Sequence, residues 1–127
     1  MSVVKDNLQF QLIYHQKTTK NEEFLIELKL DYIGTDEVLL THGSNTIDYI
    51  IIKDKQNEVV YKNIPDSEKS LLTEKIQRNH SVIKEVRPLI KEKGTYYISA
   101  ATSDLKINDK EISGKRFILK NQLLEIK

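Results

Sequence analysis

Apolar and polar positions alternate with a period of two over most of this chain. In EFLIELKLDYIG, Phe24, Ile26, Leu28, Leu30 and Tyr32 fall on one side and Leu25, Glu27, Lys29 and Asp31 on the other. That spacing predicts a strand with one buried face. Leu8, Phe10, Leu12 and Tyr14 repeat the pattern upstream, and the polar run QKTTKNEE ends that strand, so the two segments are expected to form an antiparallel pair. Further strands are predicted at Val38 to Thr41, Ile47 to Ile52, Val59 to Tyr61, Leu72 to Gln77, Ser81 to Arg87, Thr95 to Thr102, Phe117 to Leu119 and Leu123 to Ile126. Between Ile47 and Ile52 both sides are apolar: Ile47, Tyr49 and Ile51 face one way, Ile50 and Ile52 the other. This marks a central strand or one whose second face is covered. Turn residues punctuate the chain at His42-Gly43-Ser44-Asn45, DKQNE, Asn79-His80 and Asn108-Asp109, and Pro88 ends a strand. The stretch after Ile64 starts with Pro65, Asp66 and Ser67, a helix-opening signal, but reads better as an irregular loop leading into the strand near Leu72. Seven to nine short strands with a turn about every ten residues predict an all-β, antiparallel sandwich.

Length and composition narrow the function. The chain has 127 residues, enough for one domain with its own core. Residues 1–7 read as a flexible lead to it. Twenty basic against 19 acidic residues, interspersed, leave a net charge of +1. No block of charge draws it to nucleic acid or an anionic surface, so neither is expected as a partner. The absence of cysteine removes disulfides and thiolate metal sites. The opening MSVVKDN leads into no long apolar run, which points to a cytoplasmic protein without a membrane-spanning segment. The alternative is an extracytoplasmic domain whose signal or anchor has been removed.

Little in the chain speaks for catalysis. His15, His42 and His80 are the only histidines and have no ligand spacing between them, so no metal or catalytic site is expected unless the fold brings them to carboxylates. No serine lies in a Gly-x-Ser-x-Gly elbow, four glycines are too few for a phosphate cradle, and neither DKQNE nor INDKE has the ligand order of a calcium loop. No cofactor is expected. Asp48, before Tyr49, is read as a structural acceptor of backbone or hydroxyl hydrogen bonds. Gly94 opens a strand, and Tyr96 is read as a core tyrosine whose hydroxyl reaches backbone at a sandwich corner. Tyr97 lies on the opposite face, where it could join Ile50 and Ile52 in an outward apolar patch.

The hairpin THGSNTIDYIIIKDKQNEVVYKN resembles that of the BsuPI-type bacterial intracellular proteinase inhibitors: a small-residue turn, Asp followed by an aromatic and aliphatic strand, a polar turn, then Val and an aromatic. The strand pair around Leu28 and Leu30, TEKIQRNHSV and KEKGTYYISA follow in matching order, so the resemblance covers roughly residues 8 to 126. Arg78-Asn79-His80 stands where the family has a Pro-Gly-Glu turn, with Asn79 suited to the left-handed backbone that Gly would supply. NIPDSEKS replaces the family's aromatic and Met-containing stretch. The resemblance implies an immunoglobulin-like sandwich and a non-enzymatic protein-binding role as a proteinase inhibitor or regulator, a serine protease being the natural partner. Inhibition needs a rigid, substrate-like loop, for which Lys62, Asn63, Ile64, Pro65 and Asp66 are the candidates, because Pro65 biases Ile64 towards an extended backbone. The alternative is an adaptor or assembly module that binds through an edge strand or loop.

Overall fold

The computed structural model describes residues 1–16, 24–64, 71–90 and 92–126. Among them are twelve strands and no helix: β1 (Ser2–Lys5), β2 (Leu8–Gln16), β3 (Phe24–Tyr32), β4 (Val38–Gly43), β5 (Ile47–Lys53), β6 (Val59–Asn63), β7 (Leu71–Ile76), β8 (Ser81–Val86), β9 (Gly94–Thr102), β10 (Lys106–Ile107), β11 (Lys110–Glu111) and β12 (Ile118–Ile126). They form three antiparallel sheets in the orders β1-β2-β3-β8, β11-β10-β4-β7 and β12-β9-β5-β6. The architecture is the expected all-β sandwich, with twelve strands in place of the seven to nine expected, because β1, β10 and β11 are too short for a period to show.

Its core comes from one row of each alternating strand. Leu8, Phe10 and Leu12 of β2, Ile26, Leu28 and Leu30 of β3, Leu40 of β4, Ile50 and Ile52 of β5, and Ile98 and Ala100 of β9 are buried in one cluster. The β2–β3 pair runs unbroken from Leu8 opposite Tyr32 to Gln16 opposite Phe24, as the shared period requires. β5 lies inside its sheet, between β9 and β6, as expected of a central strand. At the β5–β6 turn, Asp54 accepts hydrogen bonds from the backbone of Gln56 at 2.9 Å and Glu58 at 3.0 Å, and Asn57 takes φ +66. Asn79 takes φ +73, the left-handed conformation anticipated for it.

The structure corrects readings at two places in these sheets. Residues 1–7 are not a flexible lead. β1 pairs with β2 across Asp6-Asn7, at φ +51 and +62, which is the two-residue turn that a twisted hairpin favours. Lys5 Nζ then donates to the carbonyls of Ser113 at 3.0 Å and Arg116 at 2.8 Å, and Asp6 accepts from the Ser113 amide at 2.8 Å. The second correction concerns β5. Its pairing with β9 shifts register between Ile47 and Tyr49, so Asp48 is an extra residue and the alternation flips there. Ile47 therefore turns inward with Ile50 and Ile52, and the proposed outward patch of Tyr97 with Ile50 and Ile52 does not exist, both isoleucines being 0% exposed. Tyr97 instead stands opposite Leu123 of β12 and Lys53 of β5.

Candidate functional site

The residues singled out after the hairpin divide. Lys62 and Asn63 are the last two residues of β6, in register with Ile51 and Ile50. Ile64 leaves the strand 58% exposed. Pro65 and Asp66 lie outside the described residues. Lys62 and Asn63 therefore belong to a sheet edge and not to a loop.

Asn63 shares the inward row of its sheet with Ile50, and there it meets a residue that period counting passed over. Lys84 occupies the inward row of β8 between Val82 and the buried Val86, and its Nζ donates to Asn63 Oδ1 at 3.0 Å. β6 and β8 are edge strands of different sheets, so the bond spans the sandwich. Burial lowers the pKa of the Lys84 ammonium from the ordinary lysine value, and the negative charge of Asp48 opposes that shift. Asp48 is held in turn by Arg116, with Nη1 at 3.4 Å from Oδ2, while Arg116 Nε donates to Asp104 at 3.0 Å. Asp48 thus pairs with a guanidinium, a correction to the backbone or hydroxyl partner expected for it. Bulging is what aims its carboxylate out of the β5 row.

A second cluster forms where β4 meets β7. Two of the three histidines converge on Glu74: His42 Nε2 lies 3.6 Å from Oε2, and His80 Nε2 lies 3.1 Å from Oε1 without the alignment of a hydrogen bond. His42 Nδ1 is 2.6 Å from the Gly43 carbonyl, which can only accept, so this nitrogen carries the proton. His15 stands on β2, 3.7 Å from Glu27. Among the described residues no three His, Asp or Glu side chains are arranged to hold a metal ion. Nothing in the sequence flagged Glu74, because its meeting with the histidines depends on β7 pairing with β4.

β7 itself is unusual. Leu71 to Lys75 are all exposed, only Ile76 is buried, and the register with β4 is unbroken from Val38–Ile76 to Gly43–Leu71. No described strand pairs with its other edge. Leu71 is 66% and Leu72 49% exposed.

At the far end of the β5–β9 sheet an open cleft of about 420 Å³ is lined by Asp54, Lys55, Glu92, Lys93, Gly94 and Tyr96 among others. Gly94 adopts φ +145, a backbone that side-chain-bearing residues rarely take, and opens β9. Tyr96 is 6% exposed and its hydroxyl donates to the Glu92 carbonyl at 2.7 Å, the backbone contact anticipated for it. Burial raises its pKa above the usual tyrosine value of 10.0, with the charges of Glu92 and Asp54 adding to the effect. The folded state holds this proton more tightly than the unfolded chain does. The associated stability is therefore complete below about pH 10 and lost as pH rises through the folded value. Tyr96→Phe is expected to cost about 1 kcal/mol at neutral pH and to flatten the fall above about pH 10. Urea melts of both proteins across that range check it, and an unchanged alkaline slope would remove Tyr96 as its source.

No helix among the described residues is long and apolar enough to cross a membrane. No family model matches the sequence, and no curated protein matches it. Among solved structures the chain is similar to one titled "X-ray structure of Northeast Structural Genomics Consortium target SoR45", with 12% identity and a TM-score of 0.43 over 98% of this chain and 88% of that one. A likeness of that degree carries no weight for function.

Proposed function

We propose that this chain is a non-enzymatic protein-binding domain that captures an extended segment of a partner by strand addition at β7. The observation that supports it is the open, regular edge of that strand, with Leu71 and Leu72 exposed on its two faces. An unpaired row of N–H and C=O groups is a template for another strand, and natural edges are usually blunted by bulges, prolines or inward charge. β7 has a continuous register and no proline, and its charged residues, Glu74 and Lys75, lie in its second half, leaving the Leu71–Thr73 end of the edge uncharged. Main-chain hydrogen bonds would supply affinity, and side chains alternating along the added strand would supply selectivity. The test is capture of partners by the immobilised chain beside Leu71→Lys and Leu72→Lys variants. Both variants should stay folded, since each side chain is solvent-exposed, yet lose a partner that the parent retains. Equal retention by the variants would remove β7 as the docking edge.

The finer reading, a proteinase inhibitor or regulator acting in the cytoplasm, draws on the family resemblance and on Ile64 standing exposed at the end of β6 ahead of Pro65. It is tested with a panel of serine proteases, subtilisin-type included, at micromolar chain, with mass spectrometry of the chain afterwards. Tight inhibition with the chain intact supports it; no inhibition, or rapid cleavage, leaves strand addition as the mode of action.

A further inference from the structure

Lys84 and Asn63 bring an amine and a carboxamide together across the sandwich. Lys84 Nζ is 3.0 Å from Asn63 Oδ1, and both side chains are half-buried. Whichever way the amide is turned, its carbon is one bond from the atom that touches the lysine. The immediate neighbours along and across the strands are apolar: Val82 and Val86 flank Lys84 on its row, Leu28 stands opposite it on β3, and Ile50 stands opposite Asn63 on β5. Asp48, two positions before Ile50, supplies a carboxylate near enough to act on the lysine's charge.

We propose that Lys84 and Asn63 react with one another to form an intramolecular amide crosslink between β8 and β6, with Asp48 as the proton carrier. The Lys84 ammonium passes a proton, by way of one water, to the Asp48 carboxylate. The free amine's lone pair then attacks Asn63 Cγ, making a C–N bond and opening the carbonyl π bond to oxygen. On collapse the original C–N bond of the carboxamide breaks, Asp48 returns its proton to the leaving nitrogen, and the attacking nitrogen gives up its second proton to the released ammonia, which departs as ammonium. Ammonium charge and proton balance: a lysine ammonium and a carboxamide become a secondary amide and one ammonium ion, with no oxidant or cofactor. An amine is nucleophilic only as its free base, and desolvation between apolar strands is an established way of producing one. The lowered Lys84 pKa agrees with that requirement. Arg116 Nη1, 3.4 Å from Asp48 Oδ2, positions the carboxylate.

The bond would tie together two edge strands of opposite sheets, β6 and β8, which no main-chain pairing joins. It closes the chain between residues 63 and 84 and so restricts the unfolded state as any covalent loop does. It would form whether or not β7 docks a partner.

The test is the intact mass of the full chain, held folded at neutral pH until the mass stops changing. The expected product is lighter than the sequence by one ammonia, about 17 Da. Digestion should give one branched peptide containing Asn63 and Lys84, with trypsin no longer cutting after Lys84. Lys84→Arg and Asn63→Ala should keep the full sequence mass, and Asp48→Asn should slow the reaction roughly 100-fold, the range for loss of a proton carrier. Full mass in the folded parent protein overturns the proposal. So does the same loss of ammonia without a branched peptide, the mark of a succinimide at an asparagine.

Discussion

Phe117→Ala should cost about 3–5 kcal/mol, the usual range for emptying a large aromatic site in a core. Phe117 is 0% exposed, and its ring lies 5.8 Å from that of Phe10 at an interplanar angle of 46°. Such tilted pairs contribute about 0.5–1.5 kcal/mol beyond the area they bury. The Lys5 ammonium sits 5.0 Å from the Phe117 ring centroid while donating to two carbonyls beyond it, so the ring also braces β1. Phe117 amide and carbonyl are tied to Thr102, the amide donating to Oγ1 and the carbonyl accepting from the backbone, both at 3.0 Å. The backbone is therefore poorly able to collapse into the space left by the ring, which places the cost at the upper part of the range. Against a total stability of about 5–15 kcal/mol this is a large fraction, and the melting temperature should fall by on the order of 10–20 °C. Scanning calorimetry reads it directly. A loss under about 1 kcal/mol would mean that Phe117 does not hold the two layers together.

The parts of this architecture that the sequence carried are those set by local repetition. Period-two alternation located β2, β3, β9 and most of β12, because burial of one face imposes it on every residue of a regular strand. Turn chemistry placed the β5–β6 hairpin and the left-handed Asn79, and it marked Asn108-Asp109, whose φ values of +49 and +66 close the small β10–β11 hairpin. Asp6-Asn7 is the same kind of turn, but the strand before it, SVVK, is too short for a period to show. What could not be read is whatever depends on which strand meets which. The bulge at Asp48 exists only relative to β9, and the two closing segments become one strand only because the register shift between Leu119 and Gln122, with Asn121 at φ +50, bends it without breaking it. Glu74 meets two histidines only because β7 pairs with β4. Lys84 left a faint trace: it is the one charged residue in a row with Val82 and Val86, and an inward lysine on an edge strand is a recognised way to discourage the wrong neighbour. Its contact with Asn63 belongs to the tertiary fold alone.

The flipped alternation in β5 yields the sharpest contrast between adjacent residues. Ile52→Lys should abolish folding, whereas Ile51→Lys should change stability by no more than about 1 kcal/mol. Ile52 is buried in the common core and paired with Ile98 on one side and Tyr61 on the other, so a lysine there would have to place its ammonium among apolar side chains or lose its proton. Either route costs several kcal/mol on top of the packing lost, comparable to the whole stability of a domain this size. Ile51 faces out, half-buried, opposite Ser99 and the exposed Lys62, where a lysine can keep its stem on the sheet and its charge in water. Far-ultraviolet circular dichroism and urea melts of the two variants decide the matter. Were β5 regular through Asp48, Ile47 would share the outward face with Tyr49 and Ile51, so Ile47→Lys completes the set: it should behave like Ile52→Lys, because the bulge has turned that residue into the core. A folded Ile47→Lys protein of near-parental stability would mean that the register shift at Asp48 is wrong, and with it the direction in which the Asp48 carboxylate points.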